Sequence, residues 1–220
     1  MTVHVKICGI TALDDARVAA QAGADMLGFL FYSASPRFVP PDQAAAMIRA
    51  IRREVPSIRC VGVFVNESLE TVRQMVVRCG LDMVQLHGDE SPADVSVLME
   101  EGIPVIKGFR LRNARVLETM RRYRPTVYLV DAYAPDRPGG TGQTCDWALA
   151  ARAREYGPLL LAGGLTPENV AEAVRAVRPW GVDVASGVEA RPGRKDPERV
   201  RRFIQSAKFL DEGGDADELP

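Results

Sequence analysis

The sequence predicts an α/β chain folded as a (β/α)8 TIM barrel, a single catalytic domain over residues 1–210 followed by an acidic tail at 211–220. Three observations carry that prediction. Short aliphatic runs alternate with amphipathic stretches eight times, as parallel strands joined by helical crossovers require. The eight units fill about 210 residues, the small end of the range for such barrels. No Gly-x-Gly-x-x-Gly turn follows the first strand, so the alternative of a doubly wound open sheet is the weaker one.

Val3-His4-Val5-Lys6-Ile7-Cys8-Gly9 reads as the first strand. Val3, Val5 and Ile7 share its apolar face, while His4, Lys6 and Cys8 share a chemically active one. Thr11 followed by Asp14 resembles a capping box with Asp in place of Glu, and Leu13, Ala16 and Ala20 then recur at helical spacing up to Gly23. Met26 to Phe31 is a continuous apolar run, as expected of a strand buried on both faces, and it opens into the polar turn 32–37. Asp42 starts a helix reaching about Glu54, and Ile58–Val65 is a third strand with Asn66 at its end.

Further helices are predicted near Leu69–Arg78, Pro92–Glu101, Asn113–Arg122, Asp146–Arg154, Pro167–Val177 and Pro197–Ala207. Strands are predicted between them near Met83–Leu86, Val105–Lys107, Val127–Val130, Leu159–Leu161 and Val182–Val184. Ser91-Pro92, Thr166-Pro167 and Asp196-Pro197 each place a capping residue before a proline suited to the first helical position. Gly23-Ala24-Asp25, Gly80-Leu81-Asp82 and Gly181-Val182-Asp183 lead into three strands with one pattern, an internal repeat at roughly 25-residue spacing. The last ten residues are acidic and poor in apolar side chains, as a frayed tail is.

Composition narrows the function. With 46% hydrophobic residues the chain can build a sizeable core, and a formal charge of −1 from 28 basic and 29 acidic residues argues against a nucleic-acid or anionic-membrane partner. Cys8, Cys60, Cys79 and Cys145 form no Cys-x-x-Cys pair, and with only His4 and His87 to join them neither zinc nor a disulfide framework is indicated. No export signal and no 18-residue apolar stretch is seen, so the expectation is a reduced, cytoplasmic protein.

In such a barrel the loops after the strands form one face where catalytic groups collect. That rule gathers Cys8, Arg37, His87, Asp131 and the glycine turns after strands seven and eight at one rim. Cys8 is either a base or nucleophile favoured by nearby Lys6, or a small buried hydrophobe. Asp131 ends the apolar run Val127–Val130, where a carboxylate is costly without a role or a partner; a general acid suits it, as does a cap or ion pair. Gly163-Gly164 and Ser186-Gly187 stand where barrels bind phosphate through backbone N–H groups, although glycines also serve tight turns. Arg37, held by Pro36, suits a carboxylate on a substrate, or is merely solvated. His87, after Gln85-Leu86, reads as a structural, hydrogen-bonded histidine before it reads as a catalyst. The segment from Tyr133 to Trp147, rich in Gly and Pro and containing Gly142, reads as a loop able to cover bound ligand, or as a plain surface excursion.

Taken in order, several motifs resemble the phosphoribosylanthranilate isomerase family. They are Lys6-Ile7-Cys8-Gly9-Ile10-Thr11, Ser35-Pro36-Arg37, Gln85-Leu86-His87-Gly88-Asp89-Glu90, Gly139-Gly140-Thr141-Gly142, Asp146-Trp147, the run from Gly163 to Val170, and Ser186-Gly187-Val188-Glu189. The resemblance implies an isomerase of tryptophan biosynthesis. The reaction would be an Amadori rearrangement of N-(5-phosphoribosyl)anthranilate to 1-(2-carboxyphenylamino)-1-deoxyribulose 5-phosphate, with no cofactor or metal. By the same resemblance Asp131 is the general acid and Cys8 the general base, Arg37 holds the anthranilate carboxylate, and Gly164 with the Ser186-Gly187 turn holds the phosphate. His87, Gly142 and Gly163 join the expected substrate-binding set, and the protein is expected to be a monomer or homodimer.

Cys145, Gln143 and Ala185 depart from the residues common in the family, which bears on loop closure and on the phosphate turn. Two rivals stand beside this reading: another phosphosugar isomerase on the same barrel, whose acid–base pair would be two aspartates, and a non-catalytic barrel that binds a phosphorylated ligand.

Overall fold

In the computed structural model residues 3–131 and 147–208 are described. Gly142, Gln143 and Cys145, and the tail at 211–220, lie outside the described residues.

Eight parallel strands close a barrel in sequence order. They are β1 (His4–Cys8), β2 (Met26–Leu30), β3 (Arg59–Phe64), β4 (Met83–Leu86), β5 (Val105–Arg110), β6 (Val127–Asp131), β7 (Leu159–Ala162) and β8 (Gly181–Val184). Closure is made by β1, which sets Cys8 opposite Gly28 of β2 on one side and Lys6 opposite Asp183 of β8 on the other. The helices between the strands are α1 (Leu13–Gln21), α2 (Pro41–Glu54), α3 (Leu69–Cys79), α4 (Pro92–Glu100), α5 (Arg115–Met120), α6 (Trp147–Ala153), α7 (Val170–Val177) and α8 (Pro197–Lys208).

Strand alternation sorts the apolar side chains into two clusters. Val5, Ile7, Leu27, Phe29, Val84 and Val182 belong to the large one, packed with the helices. Met26, Val61, Met83, Ile106, Val127, Leu129, Leu160 and Ala162 form the smaller one, which fills the barrel interior. Above that plug, toward the carboxyl ends of the strands, the inward positions turn polar.

The internal repeat has a physical basis in two of its three copies. Val5 N–H donates to Asp25 Oδ2 and Cys60 N–H to Asp82 Oδ2, both at 2.7 Å. Val105 N–H makes the same bond to Thr126 Oγ1 at 3.1 Å, so a polar side chain just before β2, β4 and β6 receives the preceding strand. The third copy is different: Gly181 is already the first residue of β8, opposite His4 and Leu160, so Asp183 lies inside the strand.

Three other expectations meet corrections. The Thr11 capping box does not form; α1 has Ala12 as its N-cap, and the Thr11 hydroxyl donates instead to the Gly193 carbonyl. Thr166-Pro167 opens a turn rather than a helix, because Asn169 Oδ1 accepts from Thr166 N at 2.8 Å, and α7 begins only at Val170. An antiparallel hairpin, β9 (Glu189–Arg191) with β10 (Arg194–Lys195), intervenes between β8 and α8. The caps at Ser91 and Asp196 form as expected: Ser91 and Asp94 complete a reciprocal capping box, and Asp196 Oδ1 accepts from Glu198 N and Arg199 N at 2.9 and 3.1 Å. Among the described residues no helix is long and apolar enough to cross a membrane.

Candidate active site

A cavity of about 460 Å³ opens at the carboxyl ends of the strands. Cys8, Asp131, Ala162 and Val184 line it from the last positions of β1, β6, β7 and β8, with Gln85 and His87 at the end of β4. Of the residues singled out in the sequence, Cys8, Arg37, His87, Asp131, Gly163, Gly164, Ser186 and Gly187 all meet in this one cavity. Gly142 lies outside the described residues.

The polar face of β1 makes the floor. Lys6 is fully buried and its ammonium donates to Asp183 Oδ1 at 2.9 Å. Burial pulls the Lys6 pKa down, but Asp183 and Cys8 together outweigh it and leave the ammonium above its ordinary value. Burial is also the largest influence on Cys8, pushing its thiol up, while the Lys6 and Lys195 charges pull it back and Asp183 opposes them. The thiol therefore sits between two cations and one carboxylate, a strong base once deprotonated.

The wall at β4 is a hydrogen-bonded pair, with Gln85 Nε2 3.0 Å from His87 Nδ1. If the amide donates, the ring must be neutral with its proton on Nε2. Burial first, helped by Lys6 and Lys107, lowers the His87 pKa against the pull of Asp131 and Asp183, which agrees with a neutral ring. Asp131 stands across from Ala162 of β7 and Arg110 of β5, at the top of β6.

Opposite this wall the loops after β7 and β8 form a cradle. Gly163 and Gly164 both take positive φ, +94° and +66°, a backbone conformation that favours glycine. Ser186–Val188 forms a single 3-10 turn directly after β8. A side chain at Gly187 would place its Cβ 1.8 Å from the Leu165 carbonyl oxygen, so only glycine lets the two loops touch. Lys195 Nζ and Arg199 Nε donate to the Ala185 and Gly187 carbonyls at 3.0 and 3.1 Å, fixing the turn through its oxygens.

Arg37 is placed at the cavity but held differently from the sequence expectation. Its Nε and Nη2 already form a bidentate pair with Glu189, at 2.8 and 2.7 Å, which leaves Nη1 as the unspent edge among the described residues. Its backbone N–H donates to Ser35 Oγ at 3.1 Å, so Ser35 also steadies the turn attributed to Pro36. Sequence reasoning passed over Asp183, Gln85, Glu189 and Lys195. The signal for Asp183 was available, since a carboxylate between Val182 and Val184 is as anomalous as Asp131 after Val130. Among the described residues no group of three or more His, Cys, Asp or Glu side chains is placed to hold a metal ion.

Fold and rim together define a (β/α)8-barrel protein in which Cys8, Arg37, His87, Asp131 and Asp183 line one cavity at the strands' carboxyl ends. The family profile of N-(5'-phosphoribosyl)anthranilate (PRA) isomerase matches residues 5–206. The N-(5'-phosphoribosyl)anthranilate isomerase of Geobacter metallireducens is 50% identical over 206 residues, covering 94% of this chain and 99% of that protein. The crystal structure of phosphoribosyl anthranilate isomerase from Thermotoga maritima superposes with a TM-score of 0.87 at 42% identity, over 94% of this chain and all of that one. A phosphoribosyl anthranilate isomerase in complex with reduced 1-(o-carboxyphenylamino)-1-deoxyribulose 5-phosphate gives 0.84 at 41% identity, again over 94% of this chain and all of that one.

The chain belongs to the N-(5'-phosphoribosyl)anthranilate isomerase family, enzymes of tryptophan biosynthesis.

Proposed function

We propose that this chain converts N-(5'-phosphoribosyl)anthranilate to 1-(2-carboxyphenylamino)-1-deoxyribulose 5-phosphate by an Amadori rearrangement, with Asp131 as general acid and Cys8 as general base. Asp131 gives its proton to the ribose ring oxygen as the bond from that oxygen to C1 breaks, and the anthranilate nitrogen lone pair forms the C=N bond of a cationic Schiff base. Cys8 then takes the C2 proton; the C2–H electrons become the C1=C2 bond, and the C=N electrons return to nitrogen. The resulting enolamine is protonated at C1 as its C2 hydroxyl becomes the ketone. The transient cation acts on the buried thiol together with Lys6 and Lys195, favouring the thiolate at the step that needs it.

The observation that supports this reading is the shared cavity, which Asp131, Cys8, Arg37 and the glycine turns Gly163-Gly164 and Ser186-Gly187 all line. The ligand of the crystallised relative carries a carboxylate at one end and a phosphate at the other. Arg37 suits the first, and Gly163-Gly164 with Ser186-Gly187 suits the second. The test follows loss of phosphoribosylanthranilate fluorescence. Wild-type protein depletes it faster than its spontaneous decay, while Cys8→Ser and Asp131→Asn, each folded, lose at least about a hundredfold in kcat. Wild-type turnover in either variant rejects its role.

A further inference from the structure

Lys195 is the last residue of β10 and 4% exposed, and apart from its charge acting on the Cys8 thiol the rearrangement gives it no part. Its Nζ donates to Glu189 Oε1 and to the Ala185 carbonyl, both at 3.0 Å. The same Glu189 oxygen accepts from Arg37 Nε at 2.8 Å, and Oε2 accepts from Arg37 Nη2 at 2.7 Å. Two cations thus share one carboxylate; burial pulls the Lys195 pKa below the ordinary lysine value against Glu189, and with its ammonium protonated the cluster carries a net single positive charge.

We infer that Lys195 sets the charge of the carboxylate seat: by cancelling Glu189 it leaves Arg37 able to attract the anionic ring substituent of the substrate, while its bond to Ala185 ties that seat to the phosphate turn. This rests on Arg37 being the carboxylate clamp, as proposed above.

The physical argument is one of balance. Arg37 and Glu189 alone are a neutral, bidentate pair, and a neutral pair offers an incoming anion little attraction while its carboxylate repels it. Glu189 and Lys195 have side chains only 5% and 1% exposed, whereas Arg37 is 21% exposed and lines the cavity, so the surplus charge is presented where the ligand binds. Glu189 is ionised: burial pushes its pKa up, yet Arg37 and Lys195 outweigh burial and hold it below the ordinary carboxylate value. The neighbouring carboxylate, Asp15, has its own cation in Arg194 at 3.5 Å, and it fixes Lys195 by accepting its backbone N–H at 3.1 Å. Lys195 is therefore held by α1 and the hairpin independently of any ligand, and it is a positioning and charge-setting residue rather than a catalytic one.

The experiment compares kcat/KM for N-(5'-phosphoribosyl)anthranilate with that for N-(5'-phosphoribosyl)aniline, which lacks the ring carboxylate, following both by chromatography of substrate and product. Lys195→Met is expected to lower the preference for the carboxylated substrate by at least about tenfold, mostly through KM. Removing both charges, in Lys195→Met with Glu189→Gln, is expected to restore the preference to within about threefold of wild type, which a merely structural lysine would not allow. Thermal melts accompany each variant. If Lys195→Met does not fold, the double variant decides alone: retained preference supports the inference and lost preference overturns it. A single variant with undiminished preference, or a double variant as impaired as the single, also overturns it. Arg37→Met separates the two ideas, because undiminished preference there removes the clamp itself, whereas lost preference there with none lost in Lys195→Met removes only the role of Lys195.

Discussion

Lys6 and Lys107 are both buried on barrel strands, and each donates to a carboxylate at 2.9 Å. Around Lys107 every valence is answered. Its three N–H groups also have the carbonyls of Leu86, Gly88 and Gly108 within reach, so that four acceptors share three donors, and its partner Glu90 accepts the N–H groups of Asn66 and Gly88. That network staples the loops after β3 and β4 to strand β5. Lys6 has a single carboxylate, Asp183, and a thiol at the edge of the cavity. Burial of a charge is common to both, so burial does not mark function; the difference lies in how completely the charge is used by the protein itself.

The largest effect expected from this contrast is on stability. Lys107→Met leaves the Glu90 carboxylate buried without its cation and should cost about 3–5 kcal/mol of unfolding free energy, read from urea midpoints. The comparison sharpens if Glu90→Gln in the same chain recovers part of that loss, and it breaks if Lys107→Met is neutral.

A second contrast concerns two of the buried thiols, Cys8 and Cys60. Cys60 has no lysine beside it, and burial first, then Asp82, push it up to about 12 against Arg52. Because the folded chain keeps this proton longer than the unfolded chain, the contribution is fully present below the ordinary value of 9.0. It is lost as pH rises toward 12, at about 1.4 kcal/mol per pH unit. Urea midpoints taken between pH 8 and 11, on the order of one unit apart, should fall less steeply in Cys60→Ala than in wild type. Equal slopes would show that the Cys60 thiol titrates normally.

The smallest expected effect is steric. A Cβ at Gly28 would lie 2.7 Å from Cys8 Sγ and 3.2 Å from Lys6 Nζ, so Gly28→Ala must push the thiol and ammonium aside. We expect kcat to fall several-fold with a stability change of about 1–3 kcal/mol. Unchanged kcat would mean that the placement of those two groups is not critical.

Much of the barrel was legible because strand and helix periods are local. Met26–Leu30 and Val127–Asp131 betray themselves by their own apolar runs, and Ser91 and Asp196 cap helices with atoms only a few residues away. What the sequence hid was long-range. The Thr11 hydroxyl finds the Gly193 carbonyl, 182 residues on, in preference to its own helix. The third glycine–aspartate string matched the other two as letters but sits deeper in its strand, a difference of register that no string reveals.

The site followed the same division. Cys8, Asp131 and the paired glycines were marked by where they end their strands, whereas Arg37 and Glu189 meet across 152 residues through a hairpin that the strand–helix alternation did not predict. Lys107 and Asp183 were the missed opportunities, since each interrupts an apolar strand and deserved the suspicion given to Asp131.

The most direct test sets Lys6→Met beside Lys107→Met and measures kcat on phosphoribosylanthranilate and unfolding free energy for both. A crossover is predicted: Lys6→Met loses roughly a hundredfold in kcat and less stability than Lys107→Met, whose folded fraction keeps kcat within about tenfold of wild type. Wild-type turnover in Lys6→Met, or parallel losses of turnover and stability in the two variants, would contradict the division of labour between the two buried pairs.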